Sequence, residues 1–441
     1  MKNILVIGAG RSASSLIRYL LDHSTAEGWM VTVGDVSLEL VKQKTAGHKN
    51  ARAISLDIHN EKQREEEIRR SDIVISMLPA FMHMEVAKDC VRYKKHLATA
   101  SYVSPEMKEL DNEAKAAGII LMNEIGLDPG VDHASAMKVI DHIHAQGGEL
   151  TSFNSFCGGL VAPESNDNPW GYKFSWNPRN VILAGQGTAQ FIENGVYKYI
   201  PYNRLFTQIC SVDIEGYGAF DAYANRDSLS YRKIYQIDNI PTMLRGTLRM
   251  PGYCKAWNVF VKLGLTDDTY KIEASGSLTY RQLLESYLPA GPASTQEKLK
   301  TFIGAEMDEE VMHKLEWLGI FNEERIMLAN ASPAQILQDL LESKWKLKEN
   351  DKDMIVMQHQ FEYRIKGQTR KILSSLVVKG DDQIYTAMAK TVGLPLAITA
   401  KLILQGKISA RGVVIPVLKE IYLPVLAELK TYGVKFEETE S

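Results

Sequence analysis

Through the first third of the chain, short apolar runs alternate with stretches whose apolar residues recur at helical spacing. Asn3-Ile4-Leu5-Val6-Ile7 is apolar and β-branched, the pattern of a buried strand. Leu16, Ile17, Leu20 and Leu21 then mark one face of a helix. Met30-Val31-Thr32-Val33-Gly34 predicts a second strand ending at Asp35. Further strands are predicted at Ala53–Asp57, at Asp72–Leu78 (stopped by Pro79), at His96–Ala100 and at Ile119–Met122. The charged run Glu61–Arg70 reads as a solvated helix face, and Pro105–Ala117 and His133–Ala145 as further helices. Strands alternating with helices predict a doubly wound parallel sheet that ends near residue 125.

Beyond residue 150 the pattern changes. Ser152–Cys157 and Tyr270–Ser277 look like strands, with Gly- and Asn-rich, aromatic connections between them. From residue 279 to 349 the spacing is helical, over Leu283–Tyr287, Lys298–Ile303, Glu310–Leu318 and Ala334–Trp345. Met354–Tyr363 and Thr369–Lys379 read as a strand pair, and Met388–Leu404 as an apolar helix packed between domains.

The turn after the first strand, Gly8-Ala9-Gly10-Arg11-Ser12-Ala13, fits G-x-G-x-x-G/A. Strand, glycine turn, helix, strand and acid in this order form the dinucleotide fingerprint. Gly8 permits the tight turn, Gly10 lets backbone approach a pyrophosphate, and Ala13 lets the helix pack close. The helix N-terminus offers unpaired N–H groups to the phosphates. Asp35 would accept the adenosine ribose hydroxyls and repel a 2′-phosphate, which favours NAD; Arg11 keeps NADP open. A tight turn with no ligand is the plain alternative. Asp57 is placed either at the adenine pocket or as a turn residue. Leu78 and Pro79, at the end of the fourth strand, fall at the crevice where such sheets bind ligand. Asp128-Pro129-Gly130 is a turn signal at the same edge, with Leu127 before it, and Asp132 is a candidate helix cap. Turn and cap chemistry alone would also account for that stretch.

The 441 residues are too many for one core. The net charge of −3 leaves no basic footprint for nucleic acid or an anionic membrane. Four cysteines with no CxxC pair indicate neither a zinc site nor a disulfide framework. No apolar run reads as a membrane span, Lys401 interrupting Leu394–Leu404, and the N-terminal run is too short for a signal peptide. Cytoplasm is the default expectation.

Six stretches carry a resemblance that covers nearly the whole chain: NEIGLDPGVDH (123–133), CGGLVAPESNDNPWGYKFSW (157–176), NRDS (225–228), RGTLR (245–249), DMIVMQ (353–358) and AMAKTVGLP (387–395). Together, in this order, they resemble the glutamate-forming saccharopine dehydrogenases (saccharopine reductases). The resemblance implies an α/β protein of three parts. The first is a Rossmann domain over residues 1–125, completed by about 386–441. The second is a mixed α/β substrate domain over 126–278 and 350–385, and the third a helical insert over 279–349. It implies interconversion of saccharopine with glutamate and 2-aminoadipate 6-semialdehyde. Partners would be these small molecules, with no nucleic acid and no membrane; a homodimer stays open.

The same resemblance implies roles for residues. Arg226 and Arg249 would bind carboxylates, with Thr247 and Leu248 beside them. Ser101, Tyr102 and Asp128 would touch the substrate or the nicotinamide side of the cofactor. Ser175 would be a pocket residue and Cys157 would lie near the hydride path. Leu127 and Pro129 would flank the cofactor. Asp128 and Tyr102 are the acid–base candidates, ahead of Lys173 and His133. Taken alone, each Arg is more often a surface ion pair, and Cys157 a buried structural thiol. The lysine-biosynthetic reductases that use NADP carry an Arg near the end of the second strand; here that place holds Gly34-Asp35. A carboxynorspermidine-type C–N reductase and a non-catalytic nucleotide-binding scaffold are the competing readings. The presence of both NRDS and RGTLR argues against the first.

Overall fold

The structure, a computed structural model, describes residues 1–441. The apolar runs of the first third become β1 (Lys2–Ile7), β2 (Trp29–Asp35), β3 (Ala51–Ser55), β4 (Ile73–Ser76), β5 (His96–Thr99) and β6 (Ile120–Met122). With Gly412–Val414 they form one parallel sheet of seven strands, ordered Gly412–Val414, β6, β5, β4, β1, β2, β3. Such a sheet is buried on both faces, which is why β1, β2 and β4 are apolar runs without alternation, while β3, at the edge, is only partly buried. Strand order reverses between β1 and β4, so the crevice at their carboxyl ends is a topological switch point.

The chain divides into two compact units. One holds Met1–Leu150, Ile234–Gln236 and Lys352–Ser441; the other holds Thr151–Lys233 and Ile237–Asp351. In the first unit the helix Ser14–Glu27 buries Leu16, Ile17, Leu20 and Leu21, as its spacing predicts. Against it lies the helix Ala387–Leu404. A Cβ on Gly393 would stand 2.8 Å from the Leu16 nitrogen, so a side chain there would force the helices apart. This helix corrects one expectation. Its 18 residues and mean hydropathy of 1.5 do make it long and apolar enough to cross a membrane, despite Lys401. It is 78% buried within the protein, the environment of a core helix.

The same helix is capped twice. Thr386 accepts the Ala389 N–H, and Asp353 accepts the N–H groups of Ala387 and Met388. Asp353 is fully buried. Asp353→Ala strips a carboxylate cap and leaves buried donors unmatched, so it should cost about 2–3 kcal/mol. Urea melts would show a lowered midpoint at unchanged slope.

In the second unit, β7 (Glu149–Val161), β8 (Thr188–Glu193), β9 (Val196–Pro201), β10 (Ile209–Ile214), β11 (Gly218–Ala224) and β12 (Thr242–Arg249) are the strands. β12 lies parallel to β7 and antiparallel to β11, and β8 pairs with both β12 and β9. The sequence pattern hides β8 to β11. One signal for them was present: Asn194-Gly195 both adopt positive φ, 50° and 77°, as a two-residue hairpin turn requires. Tyr270–Ser277 is not a strand. Ala274 sits at φ 54° and the chain turns into a 3-10 helix at Ser275–Ser277.

The helices of residues 279–349 do not stand apart as an insert. Leu283, Leu315, Leu337 and Trp345 share one core with Trp170, Tyr172, Tyr253 and Trp257. Residues 126–150 and 352–385, expected with the substrate domain, belong to the first unit.

Candidate active site

The glycine turn is built as the fingerprint requires. Gly8 has φ 100°, and an added Cβ would meet the Met77 carbonyl at 3.0 Å. Gly10 has nothing within 4 Å of its Cβ position, leaving its backbone open to approach. Ala13 is fully buried under the helix it precedes, while Ser12 is partly buried and Arg11 exposed. Asp35 accepts the Ala9 N–H at 2.8 Å and the Ser37 N–H at 3.0 Å, so its carboxylate is tied to the turn. Lys44 donates to the Gly10 carbonyl and to Ser14 Oγ. Burial brings its ammonium down to about 8, against the pull of Asp35.

Leu78 is partly buried and Pro79 exposed at the end of β4. Asp57 is an exposed loop residue whose carboxylate accepts the His59 N–H, which is turn chemistry. Ser101 and Tyr102 follow β5, and the Tyr102 hydroxyl donates to Asp128 Oδ1 at 3.4 Å. Asp128 is partly exposed, while Leu127 and Pro129 beside it are buried. The loop folds tightly back on itself: Gly126 donates to the Pro129 carbonyl, and Val131 donates to Gly126. Gly130, at φ 146°, has no room for a side chain, since a Cβ would lie 2.2 Å from the Gly126 carbonyl oxygen. Asp132 is the second residue of the helix Val131–Ala145, and its carboxylate accepts the Gly130 N–H.

Behind this loop is a buried network that sequence reasoning found only in part. Glu124 accepts the Val103 N–H with one oxygen and meets His133 Nε2 at 2.8 Å with the other. His133 Nδ1 meets the Tyr235 hydroxyl. Glu124 at φ 53° is a strained backbone for a side chain of its size, and the network holds it there. His133 is fully buried, with Glu124 on one ring nitrogen and Tyr235 on the other.

In the second unit, Arg249 ends β12 and is 4% exposed. Its guanidinium lies 5.4 Å from the ring centre of Tyr172, 5.9 Å from Tyr223 and 5.3 Å from Tyr253. Nη1 donates to the Leu248 carbonyl, and Nε is buried with no partner. Asp221, opposite on the ladder, accepts the Gly252 N–H instead. Burial pushes the Tyr223 and Tyr253 phenols up, so both are neutral. The aromatic faces offset part of the desolvation of this cation and supply no counter-charge. Thr247 is on the same strand face, opposite Cys157 on β7 and Tyr223 on β11. Leu248 projects to the other face and is fully buried, so it offers only backbone. Cys157 and Ser175 are buried.

Arg226 and Lys173 sit in surroundings unlike that of Arg249. Arg226 is exposed, on a left-handed turn at φ 48°, where Asp227 accepts the Leu229 and Ser230 N–H groups. Lys173 is buried and bound by Asp351 at 2.6 Å and Asp167 at 2.8 Å. Lys173, with Lys348, holds Asp167 down to about 2. The two carboxylates fix the Lys173 ammonium in a buried ion-pair cluster. Tyr223 escaped the sequence reading because only the β11–β12 pairing brings its strand beside Arg249, and Tyr253 because it opens the helix Tyr253–Leu263 and reaches the guanidinium only in the fold. Arg245 is buried, its guanidinium 4.5 Å from the Tyr231 ring centre.

Comparison with known proteins bears on what this geometry serves. The saccharopine dehydrogenase NADP-binding domain matches residues 4–122, and the saccharopine dehydrogenase C-terminal domain matches residues 126–434. A saccharopine dehydrogenase (NADP(+), L-glutamate-forming) from Pyricularia oryzae is 38% identical over 99% of this chain and 98% of its own length. The chain belongs to the glutamate-forming saccharopine dehydrogenase family. As a member of that family it is an oxidoreductase with a nicotinamide dinucleotide-binding domain. The solved structure of apo saccharopine dehydrogenase (L-Glu forming) from Saccharomyces cerevisiae superposes with a TM-score of 0.90, at 35% identity and full coverage of both chains. The mitochondrial alpha-aminoadipic semialdehyde synthase of Mus musculus is 37% identical over 99% of this chain, which spans 47% of that protein. A homospermidine synthase from Legionella pneumophila, at 9% identity and TM-score 0.62, shares the fold. The expected preference for NAD draws no support from the fungal relatives, whose names specify NADP(+).

Proposed function

We propose that this chain oxidises saccharopine to glutamate and 2-aminoadipate 6-semialdehyde, and runs the reverse reaction, with Arg249 as a carboxylate anchor. The observation that carries this reading is a buried guanidinium with an unpartnered Nε and no protein carboxylate. Burying such a charge is costly unless a ligand anion completes it. Saccharopine carries three carboxylates, and a guanidinium binds one in a bidentate fork. Cys157 on β7 pairs with Thr247 on β12, the strand that ends at Arg249, which makes them its neighbouring candidates for the substrate.

The glycine turn fits a dinucleotide. Gly8 makes room against Met77, Gly10 is open, and the start of the following helix offers N–H groups to phosphate. When bound, the dinucleotide supplies the hydride acceptor. The protein must then handle protons while water adds to the substrate's imine and the C–N bond breaks. Asp128 takes the proton of the attacking water, and the Tyr102 hydroxyl, donating to Asp128, orients that carboxylate. The proton passes on to the amine as glutamate leaves.

Cofactor choice follows from Asp35. Its negative charge beside the turn disfavours a 2′-phosphate, so catalytic efficiency should be higher with NAD than with NADP. Gly34 is a poor place to introduce a cation, because an added Cβ would lie 2.8 Å from the Leu56 side chain. Val36 is 72% exposed. Asp35→Ser combined with Val36→Arg should narrow or reverse the preference. Parallel kinetics of saccharopine oxidation with both cofactors decide the matter. A wild type that clearly favours NADP contradicts the role given to Asp35; one that oxidises no saccharopine with either contradicts the function, and a related C–N reductase then leads.

A further inference from the structure

The carboxyl ends of β4 and β5 are tied together through one side chain with no role so far. Ser76 closes β4, Thr99 closes β5, and Ser101 follows two residues later. Among them stands His83, the first residue of the helix His83–Arg92, buried at 4% exposure. Its Nδ1 meets Ser76 Oγ at 2.8 Å. Its Nε2 meets Ser101 Oγ at 2.8 Å and Thr99 Oγ1 at 3.1 Å. The Ser101 N–H donates to Thr99 Oγ1 at 3.3 Å. Every partner is a hydroxyl. Burial pushes the imidazole down to about 4, so it is neutral near pH 7.

A neutral imidazole donates from one nitrogen and accepts at the other. Of the two tautomers these contacts admit, the one in which Ser76 donates to Nδ1 has Nε2–H donating to Ser101 Oγ and leaves the Ser101 proton for an outside acceptor. Ser76 and Thr99 are 1% exposed and cannot meet a ligand, whereas Ser101 is only partly buried. It also lies at the carboxyl edge of the sheet, where this fold binds ligands.

We infer that His83 is a positioning residue: it fixes the Ser101 hydroxyl so that its proton points to an oxygen acceptor on the bound dinucleotide or substrate. This deepens the proposed function and rests on its reading that Ser101 faces the bound reactants. The acceptor is a carboxamide oxygen of the dinucleotide or a carboxylate of the substrate. The first predicts weaker dinucleotide binding without substrate, and the second a raised KM for saccharopine.

The test is a double-mutant cycle in saccharopine oxidation, read beside thermal melts and dinucleotide affinity. His83→Ala and Ser101→Ala should each lower kcat/KM by about tenfold, the size of one orienting neutral hydrogen bond. The double variant should be no worse than Ser101→Ala alone. His83→Gln, whose amide reaches the Nε2 place, should recover most of the loss. His83→Asn, which reaches only the Ser76 side, should not. Losses that add in the double variant, or that follow only the folded fraction in the melts, overturn the positioning role while leaving the proposed function intact. A Ser101→Ala variant with normal turnover overturns the reading of Ser101, and the role of His83 falls with it.

Discussion

Arg249→Ala is expected to lower kcat/KM for saccharopine by about a hundredfold or more, since it leaves a desolvated substrate carboxylate without its cation. A charge-assisted bond is worth about 1.5–3 kcal/mol, and the unpaired carboxylate adds to that. Arg249→Lys should recover only part of the loss, because an ammonium keeps the charge and loses the planar fork. Dinucleotide affinity measured without substrate should stay near wild type in both variants. The stability effect has the opposite sign. In the ligand-free protein Arg249 is a buried cation with no counter-charge, packed among Tyr172, Tyr223 and Tyr253. Arg249→Met fills much of that volume without the charge, so its melting temperature should equal or exceed wild type while activity is lost. Normal turnover of saccharopine by Arg249→Ala would remove this residue from the substrate site.

Asp128→Asn is expected to lower kcat by about a hundredfold or more, the usual range for losing a general base. Asparagine keeps the shape and an oxygen that can accept from Tyr102, so the loop and its melting temperature should be preserved. The KM for the dinucleotide should change little. If Asp128 serves only its turn, the pattern inverts: stability falls and turnover per folded molecule stays normal. Steady-state rates beside thermal melts separate the two. Gly130 and Gly126 hold the loop's geometry through close backbone packing, and Asp128→Asn leaves that packing untouched.

The dinucleotide-binding unit was legible in the sequence because local signals agree there. Apolar runs, the glycine turn, the helix face of Leu16 and Leu20 and the acid at the end of β2 all describe one object. The second unit was less legible. Its strands β8 to β11 carry no continuous apolar run, and β9 leaves Val196, Tyr197 and Tyr199 exposed, so no buried pattern announces it. The Asn194-Gly195 turn was the signal available. The helices of 279–349 were found, yet their shared core with Trp170 and Tyr253 is a long-range fact that periodicity does not carry. The same limit explains the site. Arg249 and Arg226 look alike in sequence, and only burial separates a caged cation from an exposed turn residue. Lys173 looked available until Asp167 and Asp351 appeared beside it. His83 is seven residues from Ser76 and eighteen from Ser101, a spacing that no motif encodes.

Product analysis tests the central claim most directly. Saccharopine, a dinucleotide and the purified protein would be incubated, and the products identified by mass spectrometry and counted against reduced dinucleotide. The account predicts glutamate and 2-aminoadipate 6-semialdehyde in equal amounts, one of each per reduced dinucleotide, with oxygen from labelled water in the aldehyde. Cleavage on the other side of the nitrogen, giving lysine and 2-oxoglutarate, or no cleavage with either dinucleotide, would contradict it.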